Sequence, residues 1–275
     1  MKDLKKRKLE AQVERQSYGK KIINVDKPQE VQRTNRKSSR SRRWREKYAT
    51  AAHEAAHAVT TIALGGQLKN RGIVLRENGT GTTYVQYHML RRRNSADQWE
   101  YHPGLMRYVS RARLVSAFAG PIAEHRISND RTSIAGDLIN IVLNLRFLFR
   151  GKNHLVETCD FKKYSLQFAV MIHFLVLTPS IEGAMAALDI VDGRELIDPK
   201  IVRMLARSAR RAHQIVDRNW PTIEELATAL LSKSSMTGRE IEEIVCKELL
   251  RDPISRRTIL KVLQSVKQKN QVAES

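Results

Sequence analysis

Cysteine is nearly absent. Cys159 and Cys246 are the two in 275 residues, and neither sits in a C-x-x-C pair. A disulfide scaffold is excluded, and a reducing cytoplasm is the expected compartment. Aromatic residues reach only 6%, which disfavours a strand-rich core. Long apolar runs are missing too. The longest, Leu166 to Leu177, is broken by Gln167 and His173 and falls short of the roughly 20 residues that span a bilayer. No apolar stretch follows the early lysines, as a secretory leader would require. No G-x-x-x-x-G-K-[ST] phosphate loop occurs, so no ATPase engine is legible. Acidic residues are outnumbered, 29 Asp and Glu against 49 Lys and Arg, for a net charge of +20.

What is present favours helix. Leu, Ala, Ile, Arg, Lys and Glu dominate, and the apolar share of 41% is enough for a buried core. The positive charge is unevenly placed. Residues 1–47 hold 17 Lys and Arg against 6 Asp and Glu and show no sustained apolar periodicity. That segment is expected to be a flexible basic arm, attracted to a polyanion such as nucleic acid or an acidic protein surface. The main domain is expected over residues 48–251, with a basic C-terminal helix or tail over 252–275.

Trp44 to Leu64 reads as an Ala-rich helix stopped by Gly65-Gly66. Arg71 to Leu75 and Thr82 to Tyr87 flank an Asn78-Gly79 turn and predict a hairpin or two short strands. Helices then follow one another: Leu105 to Ile127, with Pro121 as a kink or break, then Ser133 to Arg150 and Phe161 to Leu177. Asp198-Pro199 starts another, running to about Asn219, and Pro221 opens the next. Thr237-Gly238-Arg239-Glu240 is a capping box. Asp252-Pro253 restarts the chain for the last helix.

The first of these helices carries chemistry. His53-Glu54-Ala55-Ala56-His57 is an H-E-x-x-H motif. Positions i and i+4 share one helical face, so both imidazoles can reach a single Zn²⁺. Glu54 follows the first ligand directly. Its carboxylate falls beside the ion, where a general base is needed. The flanks are Ala-Ala, Ala-Ala and Ala-Val, small residues suited to a helix packed closely on its neighbours. A third protein ligand is required, and His88, His102, His125, Glu124, Asp137, His154 and His173 are all candidates. His173, inside an apolar helix, reads rather as a core histidine.

Four stretches together resemble the peptidase domain of the FtsH family, the membrane-tethered AAA zinc proteases. His53 to Val59 is similar to H-E-A-G-H-A-[VL]. Arg71 to Tyr84 resembles the strand and glycine turn after the zinc helix. Phe118-Ala119-Gly120-Pro121-Ile122-Ala123-Glu124 resembles L-G-G-R-A-A-E. Thr132 to Leu138 resembles the [ST]-x-G-A-x-x-D-L element, whose Asp is the third zinc ligand. The resemblance covers roughly residues 48 to 250. It departs at Ala56, which replaces a glycine, at Pro121, and at Gly151 to Cys159, which has no counterpart. Neither the family's membrane segment nor its ATPase module is matched.

The resemblance implies a mainly α, zincin-like peptidase fold with a small β-hairpin or short sheet after the zinc helix. It implies zinc held by His53, His57 and Asp137, with Glu54 catalytic. Glu124 reads as a carboxylate behind the ligands, orienting an imidazole. The expected function is an ATP-independent zinc endopeptidase acting on unfolded or partner-delivered protein or peptide substrates. The alternative is a nucleic-acid- or protein-binding regulatory module built on the same scaffold.

Overall fold

The structure, a computed structural model, describes residues 29–87, 91–93, 99–101, 103–128, 134–149, 161–191, 193 and 197–249. The chain divides into two units, Met1–Arg42 and Arg43–Ser275. The site and its supports belong to the second. The C-terminal basic helix expected over 252–275, the segment Gly151 to Cys159, and residues 1–28 lie outside the described residues.

The described chain is mainly helical, with a small three-stranded antiparallel sheet. In order, the elements are α1 (Gln29–Ala63), β1 (Gln67–Leu75), β2 (Gly81–Gln86), β3 (Arg91–Arg93), β4 (Trp99–Tyr101), α2 (Pro103–Ser128), α3 (Ala135–Leu148), α4 (Phe161–Leu177), α5 (Ile181–Ile190), α6 (Pro199–Arg218), α7 (Trp220–Lys233), β5 (Ser235–Met236) and α8 (Gly238–Leu249).

Local chemistry sets most boundaries. α1 closes in a Schellman motif, with Gly66 N–H donating to the Thr61 carbonyl and Gly65 N–H to the Ile62 carbonyl, both at 2.9 Å. Asp198 caps α6 by accepting from the Lys200 amide at 2.7 Å, with Pro199 at the first helical position. The capping box forms around α8: the Thr237 amide donates to Glu240 Oε2 at 2.8 Å, and the Glu240 amide donates to Thr237 Oγ1 at 3.3 Å.

Three differences from the sequence reading have physical causes. α1 starts at Gln29 rather than Trp44, so residues 29–47 of the segment expected to be a flexible arm are helical. Residues 29–43 contain neither Gly nor Pro, and five of the fifteen are Arg, a good helix former. α2 runs unbroken through Pro121, held by buried neighbours on both sides, Phe118, Ala119, Ile122 and Ala123. His173 is exposed on α4, where it was expected in the core. Helix α5 and the short ladders of β3–β4 and β5 carry too little periodicity to be read from sequence.

The sheet has order β2-β1-β5. β1 pairs with β2 from Gln67↔Gln86 to Leu75↔Gly81, with a register shift between Leu68 and Ile73. β5 pairs with the far half of β1 through Ile73↔Met236. β2 is therefore an outer strand. The core lies beneath, built on α2, α4, α6 and α7 by residues such as Phe118, Leu114, Met171, Leu175, Leu205 and Leu226. Ala51, Ala52, Ala55, Ala56 and Ala58 bury the second half of α1 against it. Alanine gives a smooth face that lets another helix approach closely.

Gly72 occupies the register shift with φ +54°. A Cβ there would collide with the Met236 carbonyl oxygen and sit 2.6 Å from the Thr237 carbonyl carbon. Gly72→Ala is expected to lower unfolding stability by about 2 kcal/mol or more, through backbone strain and loss of the β1–β5 contact. Chemical denaturation measures this; an unchanged midpoint would show that the sheet closes by another route.

Candidate metal centre

His53, Glu54 and His57 lie on one exposed-to-cleft turn of α1, in the half of the helix that is otherwise buried. His53 is 9% exposed and Glu54 7%. The two imidazole rings meet edge to face, with centroids 4.7 Å apart. Their Nε2 atoms are 3.1 Å apart. From α3, Asp137 reaches the same point: Oδ2 is 3.1 Å from His53 Nε2 and Oδ1 is 3.1 Å from His57 Nε2. Asp137 is 7% exposed and stands in the first turn of its helix.

The other ring nitrogens fix the imidazoles. His53 Nδ1 is 2.9 Å from Glu124 Oε2. His57 Nδ1 is 2.7 Å from the Ser116 carbonyl oxygen. A carboxylate and a carbonyl can only accept, so both Nδ1 atoms carry the hydrogen. In the neutral rings the two Nε2 lone pairs then face each other and the Asp137 carboxylate. Acceptors converging on one point repel unless something positive sits among them. Four ligands held about 2.0–2.1 Å from a tetrahedral zinc ion lie roughly 3.3 Å from one another, close to the spacings here. His53, His57 and Asp137 thus form a group able to hold a metal ion. Two imidazoles with one carboxylate is a donor set that suits zinc with a further position left for water.

The same crowding favours protonated imidazoles beside an ionised carboxylate. At His53 burial opposes the charged form, but the bonds to Asp137 and Glu124 outweigh it and push the imidazole up to about 10. His57 is raised for the same reason, burial being overcome chiefly by the Asp137 charge. Asp137 is held well below the usual carboxylate range, because the His57 charge and the imidazole bonds overcome burial.

Close approach makes the geometry possible. α2 passes α1 at Gly120, where a Cβ would stand 2.5 Å from Nε2 of both His53 and His57. Any side chain at 120 would crowd the two Nε2 atoms. The next residue, Pro121, has no N–H to offer the Ala117 carbonyl, one position beyond the Ser116 carbonyl that accepts from His57. Ser116 Oγ also meets Thr61 Oγ1 at 3.1 Å, pinning the two helices together below the rings.

Glu54 points beside the imidazole pair. Thr83 Oγ1, on β2, donates to Glu54 Oε2 at 2.6 Å and lies 3.0 Å from the Glu54 carbonyl. Gly81 leaves room for the same carboxylate, since a Cβ there would collide with Glu54 Cγ. These side chains line a cleft of about 700 Å³. Its remaining walls include Thr80 of the turn, Gly81 to Thr83 of β2, and Leu143 and Phe147 of α3.

Of the candidate third ligands, Asp137 stands with the two histidines, and Glu124 stands behind His53. His125 and His173 are not part of the cluster, and His88, His102 and His154 lie outside the described residues. Sequence reasoning missed Thr83, the Ser116 carbonyl, Gly81 and Gly120. Gly120 alone left a signal, as a glycine in the interior of a predicted helix.

No protein-family model matches this chain. It is 26% identical over 206 residues to a protein of Sorangium cellulosum (strain So ce56) named ATP-dependent zinc metalloprotease FtsH 2. The alignment takes in 73% of this chain and 32% of that protein, so the chain spans about a third of its relative's length.

Two outcomes are expected. Zinc uptake at mildly alkaline pH, still below the His53 value of about 10, displaces the proton that the metal-free site holds. A weakly buffered solution should therefore acidify on zinc addition, by an amount that shrinks as the starting pH approaches that value. No proton release would mean that the imidazoles are already neutral. Glu124→Gln should weaken zinc binding by about 10- to 100-fold, because the His53 ring loses its charged anchor. Competition with a chromophoric chelator reads this directly.

Proposed function

We propose that this chain is a zinc-dependent endopeptidase that cleaves peptide bonds in unfolded or partner-delivered protein segments. The observation that carries the reading is the convergence of His53 Nε2, His57 Nε2 and the Asp137 carboxylate at 3.1 Å spacings, with the Glu54 carboxylate alongside in the same cleft. Metal binding alone would not require Glu54. The distant likeness to a zinc metalloprotease points the same way.

A zinc ion held by His53, His57 and Asp137 would supply a Lewis-acidic centre that acidifies water and polarises a carbonyl. Glu54 takes the proton of the attacking water and returns it to the departing amine. Thr83 holds one oxygen of that carboxylate by donating to Oε2, which leaves Oε1 to exchange the proton. Glu124 and the Ser116 carbonyl keep the two imidazoles turned inward throughout. Substrate adds as an extended strand along β2, an outer strand of its sheet, whose residues wall the cleft. Backbone pairing of that kind binds many sequences, provided the segment is unfolded. The proposed proton transfers need only Glu54 and a metal-acidified water, so bond cleavage itself is proposed to proceed without ATP.

Glu54→Gln should retain zinc and lose at least about 100-fold in hydrolysis of an unfolded protein such as casein, the scale of a removed general base. Asp137→Ala should lower zinc occupancy in the purified protein. A fully active Glu54→Gln variant would end the mechanism, and an Asp137→Ala variant with unchanged metal content would remove Asp137 from the ligand set.

A further inference from the structure

α6 is divided into two faces. Ile201, Val202, Leu205, Ala209, Ala212 and Val216 are buried in the core. The opposite face is exposed and almost entirely basic. At 3.6 residues per turn, Lys200, Arg203, Arg207, Arg211 and Arg218 fall within an arc of about 80°, with Gln214 as the one uncharged member of the row. All five cations are exposed. The row runs about 27 Å along the helix. Arg210 borders it, within reach of the Glu182 charge on α5.

This charge is not compensated locally. An ordinary exposed helix interleaves Glu and Lys at i, i+4, which stabilises it. α6 carries a single acid, Asp217, and Arg126 of α2 engages it at 2.9 Å. Among the described residues, none of the five has a carboxylate within ion-pair distance; Arg203 donates to the Pro199 carbonyl at 3.3 Å and Arg211 to Gln214 Oε1 at 3.4 Å. Arg203/Arg207 and Arg207/Arg211 are like-charge i, i+4 pairs, which destabilise a helix. The row is therefore a concentration of positive charge held against its own repulsion on a rigid, core-anchored element.

We propose that the exposed face of α6 binds the phosphodiester backbone of duplex nucleic acid. A straight row of guanidinium groups suits a line of phosphates, which arginine contacts with paired donors. The face carries no aromatic side chain on which an unpaired base could stack, so it fits a duplex rather than a single strand. It carries no apolar side chain to insert among lipid tails either. Contacts limited to phosphate make the binding indifferent to sequence and steeply dependent on salt. The surface is separate from the metal centre and does not depend on the peptidase reading.

The test is fluorescence anisotropy with the full-length chain and a labelled DNA duplex, titrated over a range of salt concentrations. Arg203→Gln/Arg207→Gln/Arg211→Gln is compared with a control triple of equal charge loss, Arg107→Gln/Arg111→Gln/Arg239→Gln, at exposed positions off the row. Circular dichroism confirms that both variants fold. The row variant should weaken duplex binding about tenfold or more near physiological salt and flatten the plot of log affinity against log salt by about 2.7, roughly 0.9 per phosphate contact. The control should change both far less. Two unrelated duplexes should bind alike, and Glu54→Gln should bind as the wild type does. Equal losses in the two triples would show that net charge alone matters and would overturn the proposal. So would an unchanged row variant, or a row variant that keeps duplex affinity and loses binding to phosphatidylserine vesicles.

Discussion

Mutual repulsion among acceptors governs the centre of this molecule. Two imidazole lone pairs and a carboxylate point at one place, 3.1 Å apart. Left alone they would turn away from one another. They cannot, because His53 Nδ1 is tied to Glu124 and His57 Nδ1 to the Ser116 carbonyl, and the rings sit in a buried wall. A positive charge has to be present, as a proton or as a metal ion. The raised imidazoles and the lowered Asp137 carboxyl express that demand in protons.

The surrounding architecture exists to bring three helices and one strand to that point. α1 supplies the two histidines and Glu54, α2 supplies Glu124 and the Ser116 carbonyl, α3 supplies Asp137, and β2 supplies Thr83. Small residues make the approach possible: the alanines of α1 and Gly120 of α2 let two helices pass with imidazoles between them. The sheet contributes by turning the β2 edge towards the cleft, and β1 holds it there through pairing on both sides. α6 packs on α2 through its buried face, as the Arg126–Asp217 pair between them marks, and none of its residues lines the cleft, so its exposed basic face shares no residue with this centre.

Much of this was legible in the chain itself. The i, i+4 spacing of His53 and His57 is a local property of a helix, and so is the position of Glu54 beside them. Caps are local too, which is why the start of α6 at Pro199 and the capping box at Thr237 read clearly. Asp137 was reached only through likeness to a known family, because a ligand 80 positions beyond His57 leaves no periodic trace. The extension of α1 back from Trp44 to Gln29 was not read, because that polar, Arg-rich stretch offers no apolar face, although it contains neither Gly nor Pro. His173 was placed in the core on the strength of its apolar neighbours, whereas on α4 it falls on the exposed face.

By itself the sequence determined the H-E-x-x-H motif, the helical bias of the chain, its caps and its charge, since each depends on residues within a few positions of one another. Only the tertiary structure decided which carboxylate joins the histidines, which atoms fix their tautomers, that Thr83 holds Glu54, and that the basic residues of α6 form one continuous face. Those are contacts between segments 29 to 84 positions apart, or depend on which side of a helix the core claims. Packing settles them, because the burial of apolar faces rather than any local preference fixes how the helices are rotated and how closely they approach.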